Sequence, residues 1–490
     1  MTTDVQYLAW LKSASAARCV LIEVGVRSGA SEITRYLSNA GYVSGPADTP
    51  ANTTYHSVVS GGISLTESIS ITGGGTLNSG DIELHNQQGE LDPWFSDVWV
   101  NRAIQIYIGD KRWARADFRL VFDGIVADVD SRARDKFNIK LRDKLQRLNT
   151  PVSEIKLGGT TANLDRLVPL TFGEVHNVTP LLTNPATHEY QVHGSAIEDI
   201  IEVRDEGVPV AITKSVGTGK FTLNQSNAGV ITASVQGDKP ATYSNQIAAL
   251  VQRLATGYGT AVNQFSTTDI DTANFSTFAA ANPQPVGLYL DQRANVLQSI
   301  QQLAASVGAQ PVMSRAGKLR LLKIALPAVG TPTVVTASDI VAGSLQIVSR
   351  TEVVAGVMIG YCKNWTLQPQ IQTAIPPEHK DLFKQQYLTI TVKDATVASA
   401  YKLFAEPVEQ DTLLLTTADA TAEAQRRLNL YKVPRTVYQF TGFAASLFLE
   451  LGQAVTLKHY RYGMTAGVTG MVISLTPDWL AGTTVVQVLV

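Results

Sequence analysis

The first part of the chain combines one helical pattern with a long series of alternating hydrophobic and polar residues. Val5, Leu8 and Leu11 recur at helical spacing, and Asp4 is placed to cap a short amphipathic helix. Glycine- and asparagine-rich breaks at residues 73–80 and 85–89 separate strand patterns of the kind found in antiparallel sheets with one solvated face. These strand patterns and a closing helical turn cover residues 18–26, 63–71, 104–108, 118–122, 137–141 and 143–148.

The middle of the chain mixes helical and strand patterns. A glycine-containing hairpin tip is predicted at residues 215–221, and a second hairpin turns at residues 315–318. Helices are predicted at about residues 244–256 and 292–307, the second with Asp291 as its amino-terminal cap. We therefore expect an α+β region at residues 155–330, composed of two subdomains.

The last third returns to strand patterns around one helix, at about residues 418–431, which Pro434 prevents from continuing much further. One strand starts at Gly470 and another at Gly124, and each is followed by a return strand of similar length. The two hairpins could belong to a shared module, or their likeness could be due to chance. We predict a mainly β, multidomain fold with an α+β insert. In it, two domains of β-barrel or sandwich type, residues 1–154 and 331–490, flank the middle region 155–330.

Composition limits the functions that are open to the chain. Its 490 residues are 44% hydrophobic but only 17% charged, below the roughly 25% of an average soluble domain. Such a composition suits a subunit that buries much of its surface in an assembly. The net charge of −2 excludes recruitment of nucleic acid or acidic membranes by the overall field. The longest apolar stretches, residues 353–362 and 443–449, are too short to span a bilayer.

Histidine, cysteine and glycine-rich segments provide little chemistry. Cys19 and Cys362 are too few for a disulfide scaffold or a four-thiolate metal site. His188 and His193 lie five residues apart, which on a strand turns them to opposite faces. The segment 217–221 lacks the first glycine and the final Ser or Thr of a phosphate-binding loop.

Two groups of aspartates are equally weak candidates for a metal site. Asp128, Asp130 and Asp135 lack the glycine and the last glutamate of a calcium loop, and Asp269 and Asp271 are an isolated pair. No nucleophile motif is present. We therefore predict that the chain is not an enzyme and has no catalytic, cofactor-binding or metal-binding residues and no cofactor.

One charge pattern has two possible interpretations. Residues 102–147 hold 12 Lys or Arg against 7 Asp or Glu, and Lys136, Lys140 and Arg142 share one face of a strand. This basic strand face, residues 136–142, could contact phosphates or an acidic partner. The simpler interpretation, which we favour, is a solvated face with nearby aspartates as counter-charges.

Several runs of residues resemble a known family. Residues 289–322 are similar to a helix–hairpin unit of tail hub proteins. Four runs resemble the opening domain of phage tail-tip proteins: residues 79–94, 101–110, 118–132 and 137–152. Three further runs resemble the closing barrel of tail hub proteins: residues 426–443, 449–459 and 467–475. The runs cover about half of the chain in the family's order. The chain thus resembles the baseplate (tail-tip) hub proteins of long-tailed, siphovirus-like bacteriophages.

The resemblance implies a structural protein of the virion, located at the tail tip after assembly in the bacterial cytoplasm. A homotrimer would place two barrel-like domains per subunit in a six-part ring against the hexameric distal tail protein. The ring would close the tail channel and bind the tape-measure protein. It would also carry the central fibre, spike or receptor-binding proteins, and would open for genome ejection, contacting viral DNA only transiently. The iron–sulfur cluster of some tail-tip families is not implied, because Cys19 and Cys362 are too few.

Two alternatives remain. A distal tail protein has a similar amino-terminal β domain but is expected to lack a second barrel at residues 340–490. A receptor-binding or carbohydrate-binding tail protein is expected to expose aromatic clusters on loops. Aromatic residues make up only 7% of this chain, and most of them occupy alternating strand positions.

Overall fold

The computed structural model describes residues 2–61, 63–71, 78–227, 229–368 and 375–490. The chain forms two compact units, each built from segments that are distant in the sequence. The first contains Met1–Arg147, Val312–Thr351 and Arg435–Val490, and the second contains Leu148–Pro311 and Glu352–Pro434. The sequence, by contrast, predicts three consecutive segments, 1–154, 155–330 and 331–490. The predicted break at residues 73–80 lies largely outside the described residues.

Strands dominate the secondary structure, which confirms the mainly β prediction. In chain order the strands of the described residues are β1 Arg18–Ser28, β2 Ser31–Ser38, β3 Tyr42–Val43, β4 Thr54–Ser57, β5 Ser64–Ser68, β6 Ser79–His85, β7 Ala103–Asp110, β8 Arg119–Asp130, β9 Lys136–Asp143, β10 Leu170–Val178, β11 Leu181–Asn184, β12 Glu189–Gln191, β13 Ile197–Asp205, β14 Val208–Pro209, β15 Ile212–Ser215, β16 Lys220–Leu223, β17 Ile231–Asp238, β18 Gly287–Leu290, β19 Ala309–Met313, β20 Leu319–Lys323, β21 Thr333–Thr336, β22 Gln346–Arg350, β23 Gly356–Tyr361, β24 Leu388–Lys393, β25 Glu409–Asp411, β26 Thr436–Gly442, β27 Ala454–Lys458, β28 Val468–Asp478 and β29 Thr483–Leu489. The α-helices are α1 Asp4–Lys12, α2 Ile247–Gly257, α3 Thr272–Ala281, α4 Val296–Ala305, α5 Pro377–Lys384, α6 Ala395–Tyr401 and α7 Thr417–Tyr431.

The first helix differs from the prediction in its cap and its buried face. Thr3, not Asp4, caps α1, because its hydroxyl accepts the amide of Gln6 in a capping box. The buried side chains are Tyr7, Trp10 and Leu11, whereas Val5 is 79% exposed. The two aromatic rings bury more apolar area than Val5 and Leu8 would, so they determine which face of the helix packs.

The longer predicted helices are largely confirmed. Helix α2 buries one apolar face, and α7 covers the predicted residues 418–431. Helix α4 begins four residues later than expected, because the side chain of Asn295, not that of Asp291, accepts the first free amides. Helices α3, α5 and α6 have no counterpart in the prediction.

A single sheet of the first unit joins the two β regions that the sequence places at opposite ends of the chain. Its strand order is β22–β26–β29–β28–β5–β6–β9–β8–β7–β1–β2–β4–β3, and β27 pairs with both β28 and β21. The junction pairs β28 with β5, placing Ser474 opposite Ser68 and Leu475 opposite Glu67. At this junction the Glu67 carboxylate accepts a 2.6 Å hydrogen bond from Arg315.

The junction connects two four-stranded modules with the same strand order. Module 1 is β5–β6–β9–β8, and module 2 is β22–β26–β29–β28. The hairpins β8–β9 and β28–β29 each contain a bulge, at Ala127 and Ile473, which follows Gly124 and Gly470 by three residues. In both modules a Cβ on the glycine would overlap a carbonyl oxygen of the facing strand, that of Arg142 or of Leu489. These shared details favour the interpretation of the two hairpins as one repeated module.

Alanine substitution at Gly124 or Gly470 is expected to lower the free energy of unfolding by roughly 1–3 kcal/mol, because the added carbon meets backbone that cannot move aside. Gly25 provides a matched control in the same sheet, since a Cβ there would lie 3.7 Å from its nearest neighbour, the Ala103 carbonyl oxygen. Gly25→Ala should be neutral or slightly stabilising. Urea denaturation measures all three variants. Equal stability of all three would contradict the proposed close approach.

The second unit has the α+β character expected of the middle region. It contains a five-stranded sheet β14–β13–β17–β10–β18, a four-stranded sheet β11–β12–β16–β15 and a three-stranded sheet β24–β23–β25. Helix α2 packs against α4, and α7 packs against β23 and β24. The predicted hairpin tip at residues 215–221 is confirmed as the turn between β15 and β16.

Candidate interaction surfaces

The described residues contain no group of three His, Cys, Asp or Glu side chains that could hold a metal ion. They also contain no helix that is both long and apolar enough to cross a membrane. Most of the polar residues that the sequence points to have partners within the fold.

His193 is fully buried and belongs to a polar network of the second unit. Its Nδ1 accepts the amide of Thr171 at 3.0 Å, so Nε2 carries the proton and faces both Asp238, at 3.3 Å, and Ser195, at 3.2 Å. A serine nucleophile would need the serine and the carboxylate on different ring nitrogens. Arg253 holds the second oxygen of Asp238 at 2.5 Å and, with His193, lowers the pKa of that carboxyl to about 2, against its burial. The network stabilises the fold.

The other sequence candidates have structural partners as well. Asp271 caps α3 by accepting the amide of Asn274, and Asp269 completes a capping box with Ser266. The Lys220 ammonium, at the end of the glycine-containing hairpin tip, pairs with Glu189 at 2.9 Å. His188 occupies a left-handed backbone position with φ of 53° just before β12.

Both thiols lie in surroundings that disfavour the reactive thiolate. Cys19 is fully buried, and burial raises its pKa to about 11. Cys362 is half-buried, and burial again raises the thiol pKa. Because the thiolate is the nucleophile, neither cysteine is activated.

The basic strand face 136–142 is mostly neutralised by neighbouring strands. Lys136 pairs with Glu83 at 2.8 Å, and Lys140 pairs with Asp130 at 2.7 Å. Of the three basic side chains only that of Arg142 is exposed without a carboxylate partner among the described residues. The arrangement matches the favoured interpretation, a solvated face with counter-charges, although Asp135 is not among the pairs found.

Asp143 is the carboxyl whose pKa is raised most clearly toward neutrality. Burial raises its pKa to about 7, although it accepts the amides of Asn78 at 2.7 Å and Leu145 at 3.0 Å. Because Asn78 directly precedes β6 and Leu145 lies in the turn after β9, Asp143 fixes the backbone at this end of module 1. Its chemistry is that of a cap rather than of a general base.

At the junction, an edge of β28 in module 2 meets an edge of β5 in module 1. The equivalent strands of the opposite modules, β8 and β22, each have a stretch of edge without a partner among the described residues. The outer edge of β22 has no partner strand among the described residues, and all five of its residues are exposed. Ile347 and Val348 are 43% and 41% exposed. In β8, the edge opposite β9 is covered by β7 only as far as about Val126. Residues 127–130 of that edge have no partner in the part of the chain that the structure describes.

A cationic and aromatic loop connects β27 to β28. We call residues 459–467 the second loop, because a first loop, residues 111–118, connects β7 to β8 in the same way. The second loop follows Lys458, and its Tyr460 and Tyr462 are 76% and 40% exposed. His459 stacks on Tyr460 with ring centroids 4.2 Å apart, and Tyr462 lies 5.8 Å from the ring of Tyr438. Buried Met464 anchors the loop, and its carbonyl accepts the amide of His459 at 3.2 Å.

The sequence already contained a signal for this loop. Basic and aromatic side chains are mixed in the run Lys458, His459, Tyr460, Arg461 and Tyr462. No Asp or Glu occurs between residues 451 and 477. The expectation that aromatic residues lie mostly at buried strand positions therefore misses this exposed cluster.

Comparisons with known proteins give low identities throughout. No family model matches the chain, and no curated protein matches it. Among solved structures, a tail protein from Neisseria meningitidis MC58 is similar at 10% identity over 96% of both chains, with a TM-score of 0.42. The 43 kDa tail protein of prophage MuSo2 from Shewanella oneidensis is 12% identical over 96% of this chain and 98% of that chain, with a TM-score of 0.38.

A third solved structure is prophage tail protein gp18 from Listeria monocytogenes EGD-e, which is 9% identical. The match covers 90% of this chain and 93% of that one, with a TM-score of 0.37. Because all three TM-scores lie below 0.5, this likeness by itself assigns no function to the chain.

Proposed function

We propose that the chain is a structural hub of a phage tail tip, in which three copies close a ring of six modules. The hub would bind the distal tail protein on one side and the central fibre, spike or receptor-binding proteins on the other. The tape-measure protein would end in its channel. The sequence resemblance supports this assignment, and the module arrangement gives it a physical basis.

The observation that carries the proposal is a junction found once inside the chain, with both of its equivalent edges left open. Module 2 joins module 1 through β28 and β5. Their equivalents are β8 in module 1 and β22 in module 2. Among the described residues, the end of β8 at residues 127–130 and the outer edge of β22 have no partner strand. An exposed sheet edge is a template for pairing with another chain. Pairing β8 of one copy with β22 of the next would repeat the internal junction and would close a ring of modules.

The number of modules supports a hub rather than a distal tail protein. Each predicted β domain, 1–154 and 331–490, carries one module. A ring of six modules therefore needs three chains, which matches the sixfold symmetry of the distal tail ring that the resemblance implies. A distal tail protein is expected to supply one such module per chain.

The function of such a ring is mechanical. Its closed sheet would line or block the channel, and receptor binding would have to favour an open arrangement of the subunits. A packed interface changes between discrete states, so opening requires contacts that differ between the two states. The large apolar and uncharged polar fraction of the sequence suits an obligate interface of this kind.

Disulfide trapping tests the proposed pairing. The register of the internal junction, carried through the strand pairings that the modules share, places Asp128 of one copy opposite Thr351 of the next. Mixing an Asp128→Cys chain with a Thr351→Cys chain should give a covalent dimer under mild oxidation, because facing strand residues meet the distance requirement of a disulfide. Both chains should carry Cys362→Ser.

Two controls make the result specific. Ser68→Cys with Ser474→Cys in one chain repeats the same register inside the subunit and should close an internal disulfide. Asp128→Cys mixed with Ile347→Cys is displaced by four residues, or about 13 Å along the strand, and should not cross-link. Failure of the intermolecular pair while the internal pair forms would overturn the proposed junction.

A further inference from the structure

Equivalent loops of the two modules carry the same unusual combination of side chains. The first loop, residues 111–118 between β7 and β8, opens with Lys111, Arg112 and Trp113. The second loop, residues 459–467 between β27 and β28, follows Lys458 and contains Tyr460, Arg461 and Tyr462. Each loop includes a short 3-10 turn, Arg115–Asp117 or Met464–Ala466. In a ring of modules, equivalent loops lie on the same rim, because equivalent strands run in the same direction.

The two loops differ in how far their charge is neutralised. Arg112 pairs with the Asp110 carboxylate at 2.6 Å, and Lys111 donates to the Ala40 carbonyl at 2.8 Å. Lys458 and Arg461 have no carboxylate partner among the described residues, and no acidic residue occurs from 451 to 477. The second loop therefore presents a positive charge that nothing nearby in the sequence compensates.

The second loop keeps its shape at a cost to the backbone. Tyr462 has a φ of 54°, in the left-handed region that few residues other than glycine adopt, and Gly463 follows with a φ of 70°. Such conformations cluster at binding sites. Tyr462 also reaches the Leu345 carbonyl at 3.5 Å, beside the start of β22. The chain thus holds two tyrosines and an arginine at the surface on a strained but anchored turn.

We infer that the second loop is the contact by which the proposed ring binds an acidic face of the neighbouring protein ring. Tyrosine and arginine are the residues that most often dominate binding energy in protein interfaces. Lys458 and Arg461, which have no carboxylate partner among the described residues, select carboxylates on the partner, and exposed Tyr460 supplies apolar area at their centre. A nucleic acid is the less favoured occupant, because His459 already covers one face of Tyr460 and Asp110 neutralises the arginine of the equivalent loop. This inference rests on the proposed function.

Binding of the purified trimer to the distal tail protein encoded with it tests the inference. Lys458→Glu/Arg461→Glu should weaken binding at least tenfold and flatten its dependence on salt between 50 and 300 mM, and Tyr460→Ala should weaken it about fivefold. Tyr462→Gly should weaken binding while leaving the chain equally or more stable, since it relieves the left-handed strain. Tyr401→Ala and Lys402→Glu, which change an exposed neighbouring pair elsewhere on the surface, are matched controls.

The outcomes separate this inference from the proposed function. If the wild-type trimer binds and the charge-reversed variant binds equally well, the loop assignment is wrong and the hub proposal stands. If the wild-type chain does not bind the distal tail protein at all, both fail. Two further measurements on the charge-reversed variant identify other occupants. Loss of binding to a 20-nucleotide oligothymidine would show that the loop contacts nucleic acid, and loss of the trimer would show that it contacts a second copy. Either result would overturn the inference.

Discussion

Replacing Ile347 and Val348 together by lysine is expected to leave the subunit folded and to abolish its assembly into a ring. Both residues lie on β22, whose residues are all exposed, so the substitutions bury no charge within one chain. In the proposed ring the same strand pairs with β8 of the next copy. Lysine on an edge strand opposes such pairing. The two ammonium groups would lie on opposite faces of the new junction, and each would lose hydration when the strands pair. Light scattering should change from a trimer to a monomer, with an unchanged circular dichroism spectrum.

Val329→Lys is the matched control, because Val329 is 80% exposed in the same unit and lies outside the strands. It should assemble as the wild type does. If Ile347→Lys/Val348→Lys still assembles, β22 is not at the interface, and the equivalence between the internal junction and the open edges does not extend to the assembly.

Asp238→Ala should be the most destabilising single substitution in the polar network of the second unit. The variant leaves the buried His193 and the partly buried Arg253 without their carboxylate, and it removes the acceptor of the Tyr258 hydroxyl. Breaking a buried ion pair by removing one partner typically costs about 3–5 kcal/mol. Asp199→Ala removes an exposed pair with Lys214 in the same unit and should cost no more than about 1 kcal/mol. Urea denaturation compares both variants with the wild type.

The same network predicts a dependence on pH. The pKa of Asp238 is lowered to about 2 in the folded chain, against about 3.9 in unfolded chains. A lowered carboxyl pKa stabilises the fold above about pH 3.9, and this stabilisation is lost as the pH falls towards 2. The stability difference between wild type and Asp238→Ala should therefore shrink between pH 4 and 2. A difference that stays constant over this range would show that the carboxylate charge is not what stabilises the unit.

Local features of the fold were predictable because they depend on neighbouring residues. Alternation of hydrophobic and polar positions located β8, β9, β28 and β29, and helical spacing located α2. The exact caps were less predictable, since Thr3 and Asn295 compete with nearby aspartates for the same free amides. Helix α3, with the sequence TANFSTFAAA, buries only two phenylalanines and shows no helical repeat that would reveal it.

The order of strands could not be predicted in the same way. Ser68 and Ser474 are about four hundred residues apart, and their pairing depends on tertiary contacts that no local pattern records. The open edges of β22 and β8 are defined only once every other strand has a partner. The second loop is intermediate: its residues were visible in the sequence, but their exposure follows from Met464 turning inward and Tyr460 turning outward.

The mass of the purified protein in solution, measured by light scattering at several concentrations, tests the central claim most directly. The proposed ring predicts a concentration-independent species of three times the chain mass of 52.7 kDa. A hexamer would indicate that each chain supplies one module to the ring, as a distal tail protein does. A monomer that persists at every concentration would contradict a ring held together by β8 and β22.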